Sequence, residues 1–233
     1  MRNILLIFII YATFISLGLP DSLLGVTWPK MVGEMHVAYS AVGIISMTVA
    51  ICTVISSLQT TRINRKIGTG KLVLGSVLLT AIGLIGFAFS QNFFLLIVAA
   101  LPLGFGAGAI DTSVNDYVAA NLKAHHMNWL HAFWGVGATI GPIIMGVVLN
   151  NDFSWRNGYF IIGSIQLALV FILFFSLPLW KQNKQKETEK TDVSTTSISL
   201  KSVWKHTGVL LSLLSFVFYV GLEGTIFCGG AVI

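Results

Sequence analysis

Apolar residues run along this chain in long continuous stretches, which short polar segments separate. Seven stretches are long enough to cross a bilayer, since a transmembrane helix needs about 20 mostly apolar residues. The stretches are continuous rather than alternating, so the pattern predicts helices and not the strands of a membrane barrel. The predicted spans 1 to 7 are residues 4–28, 40–60, 72–90, 93–120, 129–150, 158–180 and 208–233.

The composition is typical of an integral membrane protein. Of the 233 residues, 55% are hydrophobic and 10% are charged, and the mean hydropathy is +0.84. A soluble domain carries about 25% charged residues and does not expose this much apolar surface. The net charge of +5 is spread over the segments between apolar runs. That distribution forms no basic face, so we expect a lipid bilayer and not a nucleic acid as partner.

No pattern of enzyme chemistry occurs in the sequence. It has no nucleophile–base arrangement, phosphate-binding loop or metal-ligand spacing. The two cysteines, Cys52 and Cys228, lie far apart in apolar runs. We therefore expect no enzyme activity, no cofactor, no metal site and no disulfide framework.

The basic residues indicate how the spans are oriented. With the N-terminus in the cytoplasm, all but two of the 14 Lys and Arg residues fall in cytoplasmic segments, the exceptions being Lys30 and Arg156. Basic residues accumulate on the cytoplasmic side of membrane proteins. We therefore expect a multi-pass protein of the plasma (inner) membrane with a cytoplasmic N-terminus.

One long hydrophilic stretch divides the spans into two groups. Residues 181–206 are rich in Lys, Glu, Thr and Ser, which is typical of a flexible linker. We expect a six-span N-terminal bundle over residues 1–180, a cytoplasmic linker over 181–206 and a seventh span over 207–233. This order describes half of a two-bundle transporter with the first helix of its second half. We therefore expect the chain to be a fragment.

Five ionisable residues lie inside the predicted spans. Each costs about 2.5–3.5 kcal/mol on insertion scales, so such residues are candidates for functional sites. A carboxyl group in an apolar bundle favours its neutral form, which suits a proton carrier. Since the basic residues lie at span ends, we expect the acids to meet a proton, a solute or a neutral donor. The five residues are Asp21, Asp111, Asp116, His131 and Glu223.

Asp21 and Asp111 share the local pattern Gly-x-x-Asp-Ser/Thr. Each lies about 26 Å along its helix from the end at which the chain enters the membrane. Spans 1 and 4 begin the two halves of the six-helix bundle. The two acids lie equally deep although their helices enter the membrane from opposite sides. This relation predicts two inverted three-helix repeats. We also expect Pro20 and nearby glycines to break span 1 beside Asp21 and to expose backbone groups to a cavity.

Span 4 places Gly104, Gly108, Asp111 and Asn115 on one face. The glycines admit either a neighbouring helix or a ligand, and Asn115 is either a site residue or an interhelical hydrogen-bond partner. The acid and the amide, one turn apart, suit the hydroxyl groups of a polar solute. Asp116 points elsewhere, and we expect it to make a structural contact or cap.

Span 5 places Asn128 and His131 on one face. Histidine is the side chain whose ordinary pKa lies nearest to neutrality, so His131 is either a proton carrier or an ordinary structural residue. Residues 137–146 follow the pattern Gly-x-x-x-Gly-Pro-x-x-x-Gly, which fits either close helix packing with a kink or a hinge between bundles. Glu223 in span 7 either lines a cavity or faces the lipid headgroups.

Six spans, a cytoplasmic linker, a seventh span and a basic glycine-containing loop between spans 2 and 3 resemble the major facilitator superfamily. In the superfamily that loop usually reads Gly-x-x-x-Asp-Arg-x-Gly-Arg-Lys. Its acid is missing here, because the position falls on Thr61 or Arg65. The span-4 arginine of drug and sugar porters is also absent.

Within the superfamily the chain is similar to the fucose-permease-like branch of sugar:proton symporters. Residues 106–115 resemble that branch's span-4 pattern Gly-x-Gly-x-x-acid-Thr-x-x-Asn. The segment around Asp21 and the opening of span 5 are also similar, with His131 in place of a frequent Gln. The resemblance implies that Asp21 is the proton-coupling carboxyl and that Asp111 contacts the substrate.

The predicted function is proton-coupled uptake of a sugar or a similar small polar solute by alternating access. Asp21 is the predicted proton carrier, and the predicted solute contacts are Asp111, Asn115, Asn128 and His131. Sodium coupling gives nearly the same sequence pattern. The alternatives are an antiporter or exporter, suggested by the glycine–proline ridge, a non-transporting membrane sensor, and a truncated product.

Overall fold

This computed structural model describes residues 2–191 and, beyond them, residues 211, 214, 215 and 218. The chain divides into two compact units, Met1–Gln185 and Lys186–Ile233, and the first is described below. No strand occurs among the residues described. The elements in chain order are α1 (Arg2–Gly18), α2 (Leu23–Met35), a short 3-10 helix (Tyr39–Ala41), α3 (Val42–Ile67), α4 (Thr69–Phe89), α5 (Phe93–Asn121), α6 (Ala124–Asn150) and α7 (Trp155–Thr191).

Six segments of the described chain are long and apolar enough to cross a bilayer. Helices α3 to α7 supply five of them, and α1 with α2 supplies the sixth as one interrupted span. Each of these segments overlaps one of predicted spans 1 to 6, but the first two end seven residues later than predicted, at Met35 and Ile67. The prediction of an all-α bundle of a membrane protein is therefore confirmed, and the inverted three-helix repeats stay a prediction.

Span 1 is broken next to Asp21, as the sequence predicted. Helix α1 ends at Gly18 and α2 begins at Leu23. Pro20 has no backbone N–H with which to continue the helix. The intervening backbone forms turns instead, in which the N–H of Asp21 donates to the carbonyl of Gly18 at 3.2 Å. The break leaves the side chain of Asp21 exposed.

Helix α5 lies against α3 and α4. A Cβ atom on Gly104 or Gly108 would collide with the α3 backbone, at Val49 and Thr53 respectively, and one on Gly106 would collide with α4. Small residues let helices approach closely in a membrane, where lipid removes most of the hydrophobic driving force between them. Of the two interpretations of the span-4 glycines, the structure therefore supports helix packing.

Two clusters of buried apolar side chains fill the bundle. The first is built around α1 and includes Ile10 and Phe14, and the second is built around α2 and includes Leu23 and Trp28. Helix α7 contributes to both clusters. The break in span 1 therefore falls between two separately packed regions, and α7 runs past it from one region to the other.

Helix α7 continues to Thr191, beyond the predicted end of span 6 at residue 180. Lys, Gln and Glu are good helix formers, so the first part of the predicted linker 181–206 is helical. The rest of that linker and most of predicted span 7, with Glu223 and Cys228, lie outside the described residues. The predicted domain boundaries stay predictions.

Candidate functional site

Asp21 contacts a helix that is distant in the sequence. Its Oδ2 atom accepts a hydrogen bond of 2.7 Å from the indole Nε1 of Trp134 on α6. A hydrogen bond in which one partner is charged is shorter and stronger than a neutral one. The indole therefore fixes the position of the carboxylate relative to α6.

The backbones of α1 and α6 approach each other closely beside this hydrogen bond. Gly18 stands against the backbone of Trp134. Of the predicted ridge, Gly137 stands against the carbonyl of Ile15 in α1, and Gly141 stands against the carbonyl of Leu19 in the break after α1. A side chain at any of these positions would push the helices apart. At these two ridge positions the structure supports close helix packing, whereas Gly146 faces open space.

Asp111 lies within the unbroken helix α5 and has a partner in the same helix. The Nδ2 of Asn115, one turn later, donates a hydrogen bond of 2.9 Å to Asp111 Oδ1. Asn115 Oδ1 is buried and has no hydrogen-bond partner within the part of the chain that the structure describes. A buried acceptor without a donor costs about 1–3 kcal/mol. A donor that reaches it, such as a solute hydroxyl, is therefore bound favourably.

His131 brings α6 close to the second acid. Its ring lies near Asp111, and no hydrogen bond or ion pair joins the two side chains among the described contacts. The ring packs edge-on against Phe14 of α1, with ring centroids 6.1 Å apart. His131 and Trp134 are separated by three residues, or about 4.5 Å along a helix. On successive turns of α6, Trp134 therefore binds Asp21 and His131 lies near Asp111.

The predicted site residues other than Asn128 thus fall into two pairs, Asp21 with Trp134 of α6 and Asp111 with Asn115 of α5, with His131 of α6 near the second pair. Asn128 is exposed one turn before His131, and its contact with solute stays a prediction. Asp116 is exposed at the position after Asn115, and its predicted structural contact also stays a prediction. Glu223 lies outside the described residues.

Trp134 is a site residue that the sequence pattern did not single out. It continues the spacing of Asn128 and His131 along one face of α6. An indole N–H in the middle of a span requires an acceptor, and this requirement is the sequence signal for Trp134, which is not an ionisable residue.

The chemistry available at this site is the binding of protons and polar groups. In the described ranges no group of three His, Cys, Asp or Glu side chains lies close enough together to hold a metal ion. The two carboxylates are bonded to an indole and an amide instead. Such an arrangement can exchange protons and hydrogen-bond to hydroxyl groups.

The sequence matches the profile of the Major Facilitator Superfamily over residues 6–228. It is 30% identical to the glucose/mannose transporter GlcP of Bacillus subtilis over 101 residues, which cover 42% of this chain and 23% of GlcP. It is 28% identical to a TsgA homolog of Buchnera aphidicola over 174 residues, which cover 72% of this chain and 40% of that protein. It is also 24% identical to the uncharacterized MFS-type transporter Rv1877 of Mycobacterium tuberculosis over 178 residues.

The chain spans less than half the length of these curated relatives. The similarity to the fucose-permease-like branch stays a prediction, because the relatives named here do not test it. The family profile, by contrast, covers all six membrane-spanning segments of the described structure. The chain belongs to the Major Facilitator Superfamily of membrane transporters.

Proposed function

We propose that this chain is part of a proton-coupled symporter that takes up a sugar or a similar small polar solute. The proposal depends mainly on one observation: Trp134 of α6 binds the carboxyl group of Asp21 in span 1, and His131, one turn earlier, lies near the carboxyl group of Asp111 in span 4. One carboxyl group serves the proton and the other serves the solute. The protein then moves both together by alternating access, with its N-terminus in the cytoplasm and its spans in the plasma membrane.

In this proposal the solute binds at Asp111 and Asn115 on α5. The carboxylate offers acceptors, and the buried Oδ1 of Asn115 offers a further acceptor that no described residue uses. His131 adds a ring nitrogen that can donate or accept. Several acceptors within one turn suit a molecule with several hydroxyl groups. The similarity to a protein named as a glucose/mannose transporter supports sugars as the first solutes to test.

The proton is carried by Asp21 in the break of span 1. Protonation makes the carboxyl neutral, and this removes the cost of enclosing a charge when the cavity closes. Because the indole of Trp134 donates to the charged form of Asp21, the bond weakens when a proton arrives. Proton binding therefore changes a contact between two helices, which is the kind of change that transport requires.

The direction of proton movement tests the proposal. The full-length protein is reconstituted into sodium-free liposomes that contain a pH indicator, and glucose or mannose is added outside. We expect the interior to acidify when a transported sugar enters, because protons enter with it. A sugar that enters with a matching proton current identifies a symporter.

Each alternative gives a different result in the same liposomes. Outward proton movement on sugar addition indicates an antiporter, and uptake that requires added sodium indicates sodium coupling. Sugar binding without any flux indicates a sensor. Any of these three results contradicts the proposal.

A further inference from the structure

Pro20 leaves a carbonyl group of α1 without its usual partner. In a continuous helix the N–H of residue 20 donates to the carbonyl of residue 16, four positions earlier, and proline has no N–H. Ser16 is buried, with 2% of its surface exposed. Water therefore does not reach this group, and a buried carbonyl without a donor is unfavourable.

Gln166 of α7 supplies the missing donor. Its Nε2 donates a hydrogen bond of 2.7 Å to the carbonyl oxygen of Ser16. At the other end of the amide, Oε1 accepts a hydrogen bond from the Thr80 hydroxyl of α4. Both Gln166 and Thr80 are buried. The orientation of the amide is chemically required, since a carbonyl only accepts and the hydroxyl can donate.

We propose that Gln166 is a positioning residue for transport, because it replaces the N–H that Pro20 lacks and so fixes the broken segment that carries Asp21. The inference rests on the proposed role of Asp21. Asp21 directly follows Pro20, so any shift at the end of α1 moves its carboxylate relative to Trp134. The end of α1 is therefore held by α6 through the Gly18 contact and by α4 and α7 through Gln166.

The link between Gln166 and Pro20 is tested with four forms of the full-length protein. They are the parent, Gln166→Leu, Pro20→Ala and the double variant. Gln166→Leu removes both hydrogen bonds of the amide, and Pro20→Ala returns an N–H that can donate to Ser16 within the helix. If Gln166 replaces that N–H, Gln166→Leu should disturb the end of α1 only in proteins that keep Pro20.

Two readouts follow the four proteins. The first is the rate at which dicyclohexylcarbodiimide, which reacts with protonated carboxyl groups in apolar surroundings, labels Asp21, as measured by mass spectrometry. The second is the melting temperature in detergent. Neither readout needs solute or transport. Failure of the proposed proton-coupling role, seen as uphill uptake by Asp21→Asn, is therefore a separate result.

We expect Gln166→Leu to raise the labelling rate of Asp21 about fivefold in the proline background, because the carboxyl group loses its fixed contact with Trp134. In the Pro20→Ala background the same change should leave the rate unaltered, and it should lower the melting temperature less. Equal effects of Gln166→Leu in both backgrounds, on either readout, would overturn the proposal.

Thr80→Val provides a milder variant in case Gln166→Leu does not fold. It removes the hydroxyl that donates to the far end of the amide, which also lies within hydrogen-bond distance of the Val77 carbonyl in its own helix. We expect a smaller change in the same direction, again present with proline and absent with alanine at position 20. If Thr80→Val changes the labelling rate of Asp21 equally with proline and with alanine at position 20, Gln166 and Thr80 only stabilise the bundle.

Discussion

Asp21 and Asp111 stand in the same short sequence pattern but in different structural settings. Asp21 lies in a broken helix, and its hydrogen bond comes from Trp134 on another helix. Asp111 lies in an unbroken helix, and its hydrogen bond comes from Asn115 in that same helix. A contact within one helix keeps its geometry when helices shift, whereas a contact between helices changes.

The difference between the two settings arises at the residue before each acid. Pro20 precedes Asp21 and interrupts the helix, while Ile110 precedes Asp111 and continues it. The contact at Asp111 is therefore suited to hold a solute throughout a transport cycle. The contact at Asp21 is suited to respond to helix movement. In the proposed function the same short pattern serves two roles, and the presence of proline before only one of the two acids accounts for the difference.

The largest expected effect comes from adding a methyl group beside either acid. Gly18→Ala and Gly108→Ala each place a Cβ atom against a neighbouring backbone that cannot rotate away, and such overpacking costs about 1–3 kcal/mol. Both should lower the melting temperature of the full-length protein in detergent. Gly135→Ala is the control, since nothing lies within 4 Å of its added Cβ. Equal melting temperatures for all three would contradict close packing at both acids.

A smaller effect is expected on the affinity for solute when the hydrogen bond between Asn115 and Asp111, within α5, is removed. Asn115→Leu removes the donor to Asp111 and also the buried Oδ1 acceptor, which is the proposed contact for the solute. We expect the dissociation constant of the transported sugar to rise about tenfold. Asn151→Leu is the control, because its amide donates to a carbonyl at the end of α6. An unaltered dissociation constant in Asn115→Leu would remove Asn115 from the solute site.

The hydrogen bond between Trp134 and Asp21, which joins α6 to the break in span 1, is tested by removing its donor. Trp134→Phe keeps an aromatic ring but loses the hydrogen bond to Asp21. We expect uphill sugar accumulation to fall about fivefold, with sugar exchange retained, because one charge-assisted bond is lost. Trp180→Phe keeps an aromatic ring against Tyr117 and loses one long 3.4 Å hydrogen bond to Ser176, and it should change neither exchange nor accumulation. A parallel fall of exchange and accumulation in Trp134→Phe would show that the indole serves the fold alone.

The smallest expected effect lies at the other end of α2. Arg156 forms an ion pair with Glu34 and donates to the carbonyl of Ser90 at 3.1 Å. Both charged side chains are partly exposed, and exposed pairs contribute about 0.2–1 kcal/mol. Arg156→Gln should slightly lower the melting temperature and leave exchange and accumulation intact. Lost exchange in this variant would show that transport requires the contacts of Arg156 as well as those of the two acids.

The six described spans and the break follow from local chemistry, so the sequence was enough to predict that they exist, although two spans run seven residues further than predicted. Long apolar runs need helices in lipid, and Pro20 cannot donate the hydrogen bond that would continue α1. The acids Asp21 and Asp111 were predictable for the same reason. An ionisable group in an apolar run is costly wherever its partner lies.

The partners themselves could not be predicted, because they are distant in the sequence. Trp134 and Asp21 are 113 positions apart, and Gln166 and Ser16 are 150 positions apart. A sequence pattern shows that a polar group needs a partner but not which helix supplies it. The role of Gly108 was open for a similar reason, since only the position of α3 decides between packing and ligand binding.

The central claim, that Asp21 couples the proton while Asp111 binds the solute, is tested most directly by two matched variants. Asp21→Asn and Asp111→Asn of the full-length protein are placed in proteoliposomes, and sugar exchange and proton-driven accumulation are measured side by side. We predict that Asp21→Asn keeps exchange and loses accumulation, whereas Asp111→Asn loses both together with sugar binding. Continued uphill accumulation by Asp21→Asn, or unaltered sugar affinity in Asp111→Asn, would contradict this division of roles.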